Sequence, residues 1–94
     1  MEELYFKLKS TYGQAKIIQV SPNLIEVDFK NSKETIIIQK GTVPNRFTVF
    51  YPQLIVLHNG KKKEEYSTST DILQEGLFWI LKQIKKHGKV LPKF

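Results

Sequence analysis

The sequence has no cysteine, which excludes a disulfide framework and any thiolate metal site. That absence fits a cytoplasmic setting. No apolar run approaches the roughly 18 residues of a membrane span, and the start, MEELYFKLKS, is acidic and alternating, unlike a signal peptide. There are two histidines, His58 and His87, and neither has a neighbouring Asp or Glu at metal-ligand spacing. The glycines are scattered, with no phosphate-cradling run and no nucleophile elbow. Glu26 and Asp28 could act as paired carboxylates, but two residues apart on an alternating strand they read as an outward polar face. The expectation is therefore a binding protein with no catalytic residues, no cofactor and no metal. Arginine is nearly missing too. Fourteen of the fifteen cations are lysine, which attracts phosphate as a point charge without the bidentate fork that reads bases.

What is present is a net charge of +6, unevenly placed. Residues 1–34 carry five lysines against five acids, and residues 61–94 carry eight lysines against four. From Lys82 onward there are five lysines and no acid. A basic excess gathered on one element is the footprint of a polyanion partner. The 40% apolar and 26% charged content is that of a folded chain, and 94 residues suit a single domain spanning 1–94.

The helical signal lies in Ser69–Gly88. Asp71, with Gln74 three residues on, reads as an N-cap, with Thr70 as its competitor. Ile72, Leu73, Leu77, Ile80, Leu81 and Ile84 fall on one stripe at helical spacing. Lys82, Lys85, Lys86 and His87 suit the C-terminal dipole, and Gly88 suits the C′ position. The spacing predicts a helix over about 71–87, with Phe78 and Trp79 flanking its apolar stripe. Gly76 inside it costs about 1 kcal/mol relative to alanine, unless it permits a close approach.

The rest reads as strands and turns. Leu4, Phe6 and Leu8 alternate with Tyr5, Lys7 and Lys9, and Ala15–Val20 and Leu24–Lys30 follow as extended segments. Thr35–Gln39 contains three consecutive isoleucines, the mark of a strand buried on both faces or lying at a twisted crossing. Arg46–Phe50 and Leu54–His58 are separated by Pro52. Asn59-Gly60 is a type I′ hairpin signal leading into Lys61–Ser67, a charged edge strand. The tail, 89–94, docks through Val90 and Leu91 or frays. The expected fold is α+β: a curled antiparallel meander of about six to seven strands with one C-terminal helix packed against it. In layout this resembles pleckstrin-homology domains and strand-then-helix single-strand-binding modules, but no diagnostic motif of either is present.

The combination of aromatics and lysines points to nucleic acid, single-stranded or read with weak sequence preference. The candidate contacts are Lys7, Lys9, Arg46, Phe50, Tyr51, Lys61, Lys62, Lys63, Trp79, Lys82, Lys85 and Lys86, with Tyr5, Phe50 and Tyr51 as a stacking platform. The alternative is a protein-protein interaction module, such as a small inhibitor, an adaptor or a phage or virus accessory protein. A third reading sets acidic lipid headgroups on the lysine-rich Asn59-Gly60 hairpin. A homodimer through the edge strand or the helix is compatible with each.

Overall fold

A computed structural model of the chain describes residues 1–56 and 63–92. The chain opens with a helix, α1 (Glu2–Thr11). Five strands follow: β1 (Lys16–Ser21), β2 (Leu24–Asp28), β3 (Ile36–Lys40), β4 (Arg46–Val56) and β5 (Lys63–Leu73). A second helix, α2 (Gln74–His87), comes last. The strands form one antiparallel sheet in the order β1-β2-β3-β4-β5, so the meander is as expected. The strand and helix counts are not: among the described residues there are five strands rather than six or seven, and two helices rather than one.

The N-terminal segment accounts for one lost strand. Leu4 and Leu8 are buried, Met1 and Tyr5 pack beside them, and Tyr12 closes the series, a helical stripe. Phe6, which the alternating reading would bury with Leu4 and Leu8, is 60% exposed. Leucine, lysine and glutamate also favour a helix intrinsically, and Glu2 and Glu3 sit in its first turn where the dipole favours acids.

Pro52 accounts for the other. It does not break the chain but lies inside β4, two residues past Phe50, the last β4 partner of β3. Its missing N–H therefore falls beyond that ladder, where proline is tolerated. The tail fills the space. The Val90 N–H donates to the Pro52 carbonyl and the Leu54 N–H donates to the Val90 carbonyl, each at 2.9 Å. Val90 is thus docked and buried.

Helix α2 starts later than its capping signal. Asp71, Ile72 and Leu73 extend β5 opposite Thr48, Phe47 and Arg46, and the N-cap is Leu73, with no side-chain cap. Pairing with the long strand β4 outweighs the local Asp71 signal. The far end is as expected: Gly88 takes the left-handed conformation at φ 77°. Gly76 does permit a close approach. A Cβ there would collide with the end of the Ile72 side chain.

Ile17, Ile25, Val27, Ile36, Ile38, Val49 and Tyr51 point to one face of the sheet and form one core with Leu4, Leu8, Leu77, Ile80, Leu81 and Ile84. Both helices therefore cover the same face, α1 against β1 and α2 against β4 and β5. Ile37 turns to the other face and is half-buried, so the isoleucine run is alternating rather than buried on both sides. Among the described residues, no helix is long and apolar enough to cross a membrane.

Candidate polyanion-binding surface

The buried stripe of α2 fixes where its lysines go. With Leu77, Ile80, Leu81 and Ile84 against the sheet, Lys82, Lys85 and Lys86 are turned out and exposed. The same logic on α1, with Leu4 and Leu8 inward, exposes Lys7 and Lys9. Five of the candidate cations thus share the helix layer.

Aromatic rings tie these cations together. Tyr12, at the end of α1, sits edge-on to Phe29 with centroids 5.5 Å apart and stacks on Phe78 of α2 at 6.2 Å. The Lys85 Nζ lies 5.6 Å from the Tyr12 centroid, and the Lys7 Nζ lies 5.6 Å from that of Phe78. Lys9 lies 5.9 Å from Tyr5, whose ring is edge-on to exposed Phe6. Each contact places an ammonium near a negative ring face while its head stays wet. None of these five lysines makes an ion pair among the described residues; the pair found there joins Lys89 to Glu65 at 3.4 Å. Their charge is open to an external anion.

A depression of about 540 Å³ lies between the end of α1, the β2–β3 connection and α2. Tyr12 and Phe29 supply aromatic wall, Lys30 and Lys85 supply charge, and Gln14 and Asn31 supply amides, with no carboxylate among the described lining residues. The Asn31 Nδ2 donates to the Lys85 carbonyl at 2.9 Å and holds this connection to the last turn of α2. Burial pushes the Tyr12 phenol above its ordinary pKa. Such a lining suits a phosphate-sized anion carried on a flat group.

The remaining candidates are divided. Phe50 and Arg46 lie on the sheet face opposite the helices, in line with Thr48. There Phe50 joins the row Ile18, Glu26, Ile37, Phe50, Ser69 across all five strands. Tyr51, the next residue, points into the core and is 8% exposed. Tyr5, half-buried on α1, is on neither surface of that sheet, so Tyr5, Phe50 and Tyr51 do not form one platform. Lys63 is exposed at the start of β5. Trp79 is 41% exposed on α2 and lines a second depression with Gln53, Thr70, Ile72 and Val90. Lys61, Lys62, His58 and the Asn59-Gly60 turn lie outside the described residues.

Sequence reasoning left Tyr12, Phe78, Lys30 and Asn31 out of the candidate contacts. The spacing of Leu4, Tyr5, Leu8 and Tyr12 was the available signal, since a helix there aims Tyr12 at the core edge. Among the described residues, no three His, Asp or Glu side chains gather to hold a metal. No protein-family model matches the chain, and neither a curated protein nor a solved structure matches it significantly.

Proposed function

We propose that the chain binds nucleic acid, single-stranded or with weak sequence preference, through the helix layer. One observation carries this: Lys7, Lys85 and the Phe78–Tyr12 stack form a continuous cation–aromatic line, flanked by Lys9, Lys82 and Lys86, with no carboxylate paired to it among the described residues. Lysine heads neutralise phosphates, and exposed rings such as Phe6 give bases something to stack on. Arg46, the one guanidinium of the sequence, lies on the opposite face, so bidentate guanidinium reading of guanine has no place on this surface, in keeping with a weak sequence preference. Such a role suits the cytoplasmic location that the lack of cysteine favours.

The test is anisotropy of a labelled single-stranded oligonucleotide across a salt series, with Trp79 emission as a second signal. Binding falls with salt, at a log–log slope of about 0.7 per phosphate neutralised. Reversing Lys82, Lys85 and Lys86 to glutamate abolishes it, and Arg46→Glu leaves it nearly unchanged. Absence of binding at low salt in both signals rejects the reading.

A protein-docking role has its own support on the other face, where Ile18 is 43% exposed near half-buried Ile37 and Phe50. Binding there would be far less sensitive to salt. The acidic-lipid reading rests on a hairpin outside the described residues.

A further inference from the structure

Strand β5 is an edge of the sheet for its whole length, Lys63–Leu73, and carries neither a bulge nor a proline. The other edge, β1, is shorter, bulged between Gln19 and Ser21, and lies beside α1. Which β5 groups are free follows from β4. Pro52 and Leu54 aim their backbone groups at Val90. Successive strand residues alternate, so Val49, Tyr51 and Gln53 bond toward β5, where they face Thr70, Thr68 and Tyr66. Lys63, Glu65, Ser67, Ser69 and Asp71 therefore aim N–H and C=O outward. Among the described residues no backbone–backbone hydrogen bond reaches these outward groups. A long straight edge with free backbone groups is a template for another strand.

We propose that two copies of this chain pair antiparallel along β5, about a two-fold axis at Ser67, and so double the five-stranded sheet. Charge selects this register. Centring on Thr68 would use every residue but would set Glu65 opposite the partner's Asp71, a like-charge pair. Centring on Ser67 sets Lys63 opposite the partner's Asp71, once at each end, with Glu65 opposite Ser69 and Tyr66 opposite Thr68. The outward groups of residues 63–71 then exchange roughly ten N–H···O bonds, two per hydrogen-bonded pair. The two-fold axis is normal to the sheet, so both helix layers lie on one face and the two basic surfaces stand side by side. An edge contact buries less area than a permanent dimer, so association is reversible. The pairing does not depend on the nucleic-acid reading.

Sedimentation velocity of the full chain alone, from micromolar to millimolar concentration, tests it. The expected result is a monomer–dimer equilibrium. Asp71→Lys sets lysine against Lys63 at both ends and weakens the dimer by about tenfold. Adding Lys63→Asp to that variant restores it. Ser69→Pro removes one outward N–H without breaking the β4 ladder, and it yields monomer with an unchanged far-UV spectrum. A chain that stays monomeric at millimolar concentration overturns the proposal. So does a dimer indifferent to these variants, or a double variant as weak as Asp71→Lys alone.

Discussion

The ammonium of Lys85 lies 5.6 Å from the centre of the Tyr12 ring, joining the last turns of α2 to the end of α1. Tyr12 is also stacked on Phe78 and set against Phe29, so it is the joint on which the helix layer is assembled. Tyr12→Ala removes all three ring contacts and is expected to cost about 3–5 kcal/mol. Lys85→Ala loses only the exposed cation contact, about 0.5–1 kcal/mol. Urea unfolding of the two variants separates these outcomes, and equal costs would mean that the ring is not the joint.

Burial raises the phenol pKa of Tyr12 and of Tyr51 above the ordinary 10.0. The unfolded chain gives up these protons first, so stability is intact below pH 10 and falls as pH rises toward the folded-state values. Tyr12→Phe cannot ionise and should lose less over that window than the parent. Thermal melts from neutral pH to about pH 11 check the slope, with the window set by the unfolded tyrosine value.

Phe6 and Leu8 distinguish a helical from an extended N-terminus. On α1 they point apart, with Phe6 in water and Leu8 fully buried. Phe6→Glu should change stability by no more than about 0.5 kcal/mol, whereas Leu8→Ala should cost about 2–5 kcal/mol. Chemical denaturation decides; comparable losses would restore the extended reading.

Those two residues also show where local pattern stops informing. Leu4 and Leu8 satisfy both a two-residue and a four-residue period, and nothing local chooses between them; packing against β1 and the core does. The α2 stripe and Gly88 were legible because several signals agree on one period and one terminus. Asp71 was misread as a cap because its true partner, Thr48, is distant in sequence. For the site, the expected platform joined Phe50 and Tyr51 although strand alternation sets neighbours on opposite faces, and no local pattern brings Tyr12 onto Phe78. Charge clustering on α2 was readable; its continuation across α1 needed the fold.

Gly76 and Ile72 make a pair whose coupling can be measured. A Cβ at position 76 would meet the Cγ1 and Cδ1 atoms of Ile72, which packs against the core. Gly76→Ala alone should therefore destabilise by about 1–3 kcal/mol, the cost of overpacking, despite better helix propensity. In an Ile72→Ala background the obstructing atoms are gone, and the same change should stabilise by up to about 1 kcal/mol. A double-mutant cycle reads the sign reversal directly.

Gly88 couples the end of α2 to the depression beside it. Its φ of 77° favours glycine, and a Cβ there would run into the backbone carbonyl of Asn31, which cannot swing aside as a side chain end can. Asn31 in turn holds the Lys85 carbonyl through its Nδ2. Gly88→Ala should cost more than the roughly 1–2 kcal/mol of the left-handed conformation alone, because the β2–β3 connection must shift as well. Asn31→Ala removes one hydrogen bond and should cost about 0.5–1.5 kcal/mol. If the depression seats a phosphate, both variants weaken oligonucleotide binding by more than their stability losses require, since Lys30 and Lys85 are no longer held across the same opening. Anisotropy titrations at a temperature where each variant is fully folded make the comparison. Unchanged affinity in both would move the contact away from the depression and onto the exposed helix lysines.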